Sequence, residues 1–575
     1  MTDILFITPN LINRDATESI GTLLLATILR SNGLSTDVVP FYDFGDPSDF
    51  DGFLNTAKEK ILERKPKIVS FYTRCDQYHI MLKMAQRLKQ EADVYVVFGG
   101  PHSDICAEDT IREIPWVDFV CCGEGETTVY PFFSSLLKGE PDLTVAGLVY
   151  RQDGAVVKNP RPVMLADLDT LPEVDFSAFS LDEPKADDSL FLIDVGRGCP
   201  FGCTYCSTQN FWGRKYRLKS SQRIINEIKA AHERYGITRF YFTHDMFTMN
   251  RKQVLEICGM MKQLPFAVEW KCSARIDCLD QELIDVMVDA GMFKIFIGIE
   301  TGSPRMQKCI NKNLKLDSVP EFLSYIHSKG VSIVASFIYG FPEETDEDLS
   351  QTMALIQKII NLKNVLVQTH LCTFLPGTEM SRRYSAELTP ATSYSDITGT
   401  TGLASCMDLV QAHPVLFPQF QEYKTELRTA LRDFKLFFRI WYYLQPVYQY
   451  FSEHYDADRL IDMYYDFVND NRQILDATAE ESIWIRMEKV IAQDRFAQRF
   501  ADSEYADVVR DYYRMTNIYA SEELKQTGVA MNLYCFSPKE IGRGTRLQDY
   551  KRDRVMAIYT RTEDGNVKIS VQKGF

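Results

Sequence analysis

Short apolar runs that end in loops and alternate with amphipathic segments limit most what this chain can fold into. A parallel strand covered by helices on both faces reads as a near-continuous apolar run, because neither side of it meets water. Such runs occur at residues 4–7, 68–71, 94–98 and 117–121, with helical patterns between them, the first over 20–29 and stopped by Asn32-Gly33. The pattern predicts an α/β domain over residues 1–140, an open doubly wound sheet of Rossmann-like type. A short strand or hairpin near 147–150 and a proline-punctuated stretch through Leu171-Pro172 read as a linker, residues 141–188.

A second series follows. Strands are predicted at 190–195, 239–243, 267–271, 293–299, 331–338 and 365–372, with amphipathic segments at 221–235, 281–290, 318–329 and 346–360. These βα units imply a parallel sheet curled into a partial (β/α)6 barrel over 189–380, with functional residues where strands end. The remainder, 381–575, reads as a mainly helical α+β domain that covers the barrel mouth and selects the substrate. It is polar and irregular to His413, aromatic and helical over 423–470 with a break at Pro446, and helical again over 480–527. Residues 529–571 are strand-like, with Asp564-Gly565 as a hairpin turn. An aromatic series at Phe434, Phe437, Phe438, Trp441, Tyr442, Tyr443, Tyr448 and Tyr450 would wall a pocket or, at helical spacing, fill a core.

Composition excludes several classes. With 64 Lys and Arg against 79 Asp and Glu, the formal charge is -15, which argues against non-specific binding to nucleic acid or an anionic membrane. The apolar stretch 434–444 is broken by Lys435 and Arg439, so no membrane span is expected. Nothing at the N-terminus resembles a signal peptide, and a cytoplasmic location is the expectation. Fourteen cysteines in 575 residues are too sparse for a disulfide scaffold.

Three of those cysteines are not scattered. Arg197-Gly198-Cys199-Pro200-Phe201-Gly202-Cys203-Thr204-Tyr205-Cys206 has C-x3-C-x2-C spacing on the loop after the first strand of the second series. Three thiolates on a compact loop converge on a soft metal centre. A [4Fe–4S] cluster takes four ligands, so a triplet leaves one iron open to an exogenous ligand, the mark of a catalytic site. Zinc completed by His244 or His370, or inert buried thiols, are the alternatives. Glycine clusters at Gly99-Gly100 and Gly123-Glu124-Gly125-Glu126 end two strands of the first series, where such sheets bind ligands or simply turn tightly.

The triplet with Tyr205 before its last cysteine resembles the radical S-adenosylmethionine (SAM) superfamily. The likeness continues through Asp245 after the second strand, Arg275 after the third, Gly298-Ile-Glu300 after the fourth, Tyr339-Gly-Phe-Pro342-Glu-Glu-Thr345 after the fifth and Leu375-Pro-Gly-Thr-Glu379 after the sixth. Phe98-Gly99-Gly100-Pro101-His102 followed by Gly123-Glu-Gly-Glu126 is similar to the cobalamin-binding domain of the B12-dependent subfamily.

The resemblance implies that Cys199, Cys203 and Cys206 ligate three irons of a [4Fe–4S] cluster whose fourth iron chelates SAM. It places Asp245, Arg275 and Glu300 near SAM, each alternatively in an internal ion pair bracing the barrel. Gly99, Gly100, Gly123, Gly125 and Glu124 would approach cobalamin, although a glutamate opening a helix also suits the helix dipole. The histidine of a D-x-H-x-x-G motif is missing from residues 8–15. Arg74 would lie under the cobalt or be a solvated loop residue, with His79 and His102 as other lower-face candidates. The implied activity is C-methylation of an unactivated carbon through methylcobalamin and a 5'-deoxyadenosyl radical. The alternative is a cyclase or oxidoreductase with cobalamin in a non-methylating role or a vestigial first domain. A small-molecule or peptide substrate and a flavodoxin- or ferredoxin-type reductant would be the partners.

Overall fold

The computed structural model describes residues 2–9, 20–47, 49–178, 190–360, 362, 365–391, 394–395, 398–443, 460–478, 486, 490, 529–534, 555–561 and 567–573. The chain divides into two compact units. One comprises Met1–Ile295, Cys309–Lys312 and Leu371–Lys424, and the other Phe296–Lys308, Asn313–His370 and Thr425–Phe575.

The first unit opens with β1 (Ile4–Thr8), β2 (Thr36–Pro40), β3 (Ile68–Tyr72), β4 (Tyr95–Gly99), β5 (Phe119–Cys121), β6 (Leu148–Gln152) and β7 (Ala155–Lys158), in the sheet order β2-β1-β3-β4-β5-β6-β7. Ile4 lies opposite Thr36 on one side and Ile68 on the other, both in parallel register. Every residue of β1 is buried, which requires helices on both faces. Helices α1 (Ile20–Ser31) and α6 (Val129–Leu137) pair with each other, as do α2 (Phe50–Glu63) and α3 (Tyr78–Glu91); α4 (Pro101–Ile105) and α5 (Ala107–Glu113) link β4 to β5. Order reverses beside β1, the switch point at which such sheets bind ligands.

Two boundaries differ from expectation. The linker does not begin at 141: β6 and β7 extend the sheet as an antiparallel hairpin, Phe119 opposite Tyr150. Nor does the last domain begin at 381. Leu403, Cys406, Leu416, Phe417 and Phe420 share one buried cluster with Phe41, Phe71, Tyr78 and Phe98 of the first sheet. This strap is closed at its base by the antiparallel pair β16 (Thr389–Pro390) and β17 (Gln421–Glu422). His79 and His102 hold it, their Nε2 atoms 2.8 Å from Thr401 O and 2.9 Å from Leu416 O.

The second sheet follows chain order, β8 (Phe191–Asp194), β11 (Arg239–Thr243), β12 (Glu269–Ala274), β13 (Met292–Glu300), β14 (Ser332–Tyr339) and β15 (Val365–Leu371), the sequential arrangement of a partial barrel. β9 (Gly196–Arg197) and β10 (Arg217–Leu218) form a separate antiparallel pair. Phe240 stands opposite Phe191 and Trp270, and fully buried Trp270 stacks on Phe242 at 4.9 Å.

In the second unit Phe434 packs on Tyr339 at 4.6 Å, and Phe437 lies 5.7 and 5.3 Å from Tyr464 and Phe467. These aromatics are core. The side chains of Trp441, Tyr442 and Tyr443, with Tyr448 and Tyr450, fall outside the described residues, as do the 564–565 turn and nearly all of 480–527. Strands β18 (Val529–Tyr534), β19 (Val555–Arg561) and β20 (Val567–Lys573) form an antiparallel sheet. No helix among the described residues is long and apolar enough to cross a membrane.

Candidate active site

The cysteine loop leaves the carboxyl end of β8 and is closed at its neck by β9 and β10, with Arg197 opposite Arg217. Gly198 begins it at φ +88°, where a Cβ would stand 1.9 Å from Lys215 O, so the neck admits no other residue. Cys199, Cys203 and Cys206 are free thiols, Cys203 buried and the other two half-buried. Burial pushes the Cys199 thiol up to about 11, and the facing Cys206 and Cys203 add to the shift. Cys206 is likewise raised, chiefly by burial.

Backbone bonds fix the loop: Thr204 N donates to Ile310 O at 3.1 Å, Met380 N to Thr204 O at 3.0 Å, and Asn311 Nδ2 to Gly202 O at 2.8 Å. Arg275, after β12, lies 3.8 Å over the Phe201 ring and directs Nη1 toward Cys203 Sγ at 3.8 Å. Its fork is bidentate to Asp277, and Nη2 donates to Lys312 O at 2.7 Å. Asp245, after β11, accepts from Gly198 N at 3.3 Å and Thr208 Oγ1 at 3.2 Å, while burial pushes its carboxyl above the usual range. The structure therefore brings Asp245 and Arg275 against the cysteine loop. Glu300 belongs to the other unit, buried at the end of β13 with φ +72°, a strained value for a glutamate.

Three cysteines without a fourth fit three irons of a [4Fe–4S] cluster, and the zinc alternative lacks His244 as its fourth ligand. None of the three thiols is in a disulfide, and Cys203 and Cys206 lie near enough to Cys199 to raise its thiol. Among the described residues, no three His, Cys, Asp or Glu side chains, this triplet included, stand close enough to hold a metal ion as they are. His244, the alternative fourth ligand for zinc, accepts Met246 N on Nδ1 at 2.7 Å and faces Arg217 O through Nε2 at 3.4 Å, which leaves it no lone pair. For cobalamin the fit is partial. A Cβ on Gly99 would meet only Cys121 O, at an ordinary 3.8 Å, so this backbone is open to a ligand. Gly100, Gly123 and Gly125 are instead closed by the protein itself, by Thr73 at 2.8 Å, Pro162 at 2.8 Å and Leu25 at 3.2 Å. Arg74 forms a bidentate pair with Asp76. His79 and His102 are core residues pushed down to about 4 by burial. Residues 10–15, where a cobalt-binding histidine would be sought, lie outside the described residues.

Glu124 is not open to a ligand. Its side chain is 3% exposed, and its oxygens accept from Arg197 Nη1 (3.1 Å), Arg217 Nη2 (2.6 Å), Arg217 Nη1 (3.0 Å) and Leu165 N (2.8 Å). This corrects the expectation that it contacts the corrin. The two arginines were missed in the sequence because their partners lie 73 and 93 residues away.

The cysteine loop and the glycine loops fall in two regions that family models match. Residues 193–356 belong to the radical SAM superfamily, and residues 15–131 to the B12 binding domain family. The cofactors of this pair are a [4Fe–4S] cluster, SAM and cobalamin. Among characterised and uncharacterised relatives, the chain is 31% identical over 303 residues to the uncharacterised methyltransferase PH0819 of Pyrococcus horikoshii, covering 52% of this chain and 65% of that one. It is 27% identical over 342 residues to the anaerobic magnesium-protoporphyrin IX monomethyl ester cyclase of Rubrivivax gelatinosus, covering 57% and 60%. The chain thus spans less than two thirds of either relative's length. The fold is that of the radical SAM methyltransferase TsrM from Kitasatospora setae, solved with cobalamin and a [4Fe–4S] cluster bound. The TM-score is 0.56 at 15% identity, over 68% of this chain and 81% of that one.

Proposed function

We propose that the chain methylates an unactivated carbon of a small-molecule or peptide substrate as a cobalamin-dependent radical SAM enzyme. The observation that carries this reading is the placement of three thiols, none in a disulfide, on one constricted loop at the carboxyl end of β8, in one compact unit with a doubly wound sheet. When bound, the cluster with SAM supplies reductive sulfonium cleavage to a carbon radical, and cobalamin supplies the methyl group. Cys199, Cys203 and Cys206 would hold three irons. Asp245, held by bonds from Gly198 N and Thr208 Oγ1, would accept from the amino group of SAM. Arg275 would brace the loop through Phe201 and its hydrogen bond to Cys203. Gly99 would admit the corrin, with Arg74 as a cation near its lower face. A flavodoxin- or ferredoxin-type protein would deliver the electron.

Anaerobic reconstitution, with iron, sulfide and corrinoid measured on one sample, followed by turnover with methyl-labelled SAM, tests the proposal. The expected result is both cofactors together and label in the product. A colourless, zinc-only protein would overturn it. The cyclase relative favours a second reading, in which 5'-deoxyadenosine forms but the label never reaches the product.

A further inference from the structure

Arg197 and Arg217 are register partners across the two-residue ladder that closes the cysteine loop, and their side chains are only 7% and 10% exposed. Like charges directly opposite on a ladder repel, and burial strengthens the repulsion. Left alone, this neck would open. The ring of Trp212 lies 5.4 Å from one guanidinium and 5.8 Å from the other. Neutralisation comes mainly from the loop after β5. Glu124 receives both guanidiniums on one carboxylate, and Glu126 takes Arg197 Nη2 at 2.7 Å. Burial works against the Arg197 charge, yet Glu126, Asp194 and Glu124 outweigh it and hold that charge more firmly than usual. Arg197 thus has three carboxylates around it, whereas Arg217 is held by Glu124 and the Leu165 carbonyl.

We infer that Glu124 is a positioning residue for the cysteine loop: by drawing two opposed arginines onto one carboxylate, it holds the neck shut and sets the spacing of Cys199, Cys203 and Cys206 before any cluster is present. The inference rests on the reading of these thiols as cluster ligands, but it concerns the metal-free protein and is tested there.

The experiment is iodoacetamide labelling of reduced, metal-free full-length protein under anaerobic conditions, with site-resolved mass spectrometry. Buried Cys258 and Cys272 serve as internal controls for global opening. Glu124→Gln is expected to raise labelling of the triplet at least about tenfold, with the controls unchanged, because it leaves two buried cations facing each other. Arg217→Met alone removes one cation and is expected to change the rates less than about threefold. The double variant, carrying both substitutions, is expected to return toward wild type, since it removes the repulsion with its cure. Triplet labelling within about twofold of wild type in folded Glu124→Gln overturns the inference. So does a double variant no better than the single one. Should Glu124→Gln fail to fold, the double variant decides alone: folded with a protected triplet supports the clamp, and anything else refutes it. Iron analysis of the wild type separately reports whether the thiols hold a cluster, so failure of that reading is not confused with failure of the clamp.

Discussion

The cysteine loop and the glycine loops of the first sheet look like equal partners in sequence, each a motif at a strand end, and the structure separates them. The cysteine loop presents three thiols that are in no disulfide. Three of the four glycines in the other motif are instead needed for packing, against Thr73, Pro162 and Leu25, and only Gly99 keeps an open face. A donor atom carries its chemistry with it. An absent side chain signals a close approach without saying whose.

The strongest way to break this contrast is Cys203→Ser. Loss of one iron ligand should lower 5'-deoxyadenosine formation by more than about 1,000-fold while the melting temperature of the metal-free protein stays nearly unchanged. A large loss of stability would show the thiol to be structural after all. Gly198→Ala, forced to φ +88° against Lys215 O, should cost about 3 kcal/mol in urea unfolding and empty the cluster site.

Acid should loosen the first sheet and its strap more than the cysteine loop, because two buried neutral histidines, His79 and His102, stand there against one, His244. Their folded pKa of about 4 lies below the ordinary 6.5, so the unfolded chain binds more protons between those values. Stability is full above about pH 6.5 and falls as pH drops toward 4, by roughly 2 kcal/mol per histidine at pH 5. Unfolding of His79→Gln measured from pH 7 to 5 should show a shallower slope, and an unchanged slope would refute the assignment. The smallest effects sharpen the glycine half. Gly100→Ala should cost about 1.5 kcal/mol and leave hydroxocobalamin affinity alone, whereas Gly99→Ala should cost under about 0.5 kcal/mol yet weaken that affinity.

The six barrel strands were legible because each is a short apolar run between amphipathic helices, and the cysteine spacing is a local pattern. What escaped was non-local or aperiodic. β2 carries Asp37 and ends in Pro40, so its run is too short to stand out. The hairpin β6–β7 is legible as a strand or hairpin at 147–150, but its outer half is exposed, so it reads as linker and not as part of the sheet. The strap buries Leu416, Phe417 and Phe420 through 3-10 turns, which give neither a period of 3.6 nor one of 2. The Glu124 clamp depends on residues that only folding brings together.

The strap has a consequence for biosynthesis. Leu403, Leu416, Phe417 and Phe420 complete the hydrophobic core of a domain whose strands begin at Ile4, so the ribosome must translate the entire barrel before that core can close. Until then the nascent first domain exposes the apolar surface around Tyr78 and Phe98. A fragment ending at residue 140 would keep that surface exposed, so a first domain made alone is expected to need the residues through 420 as well as its beginning.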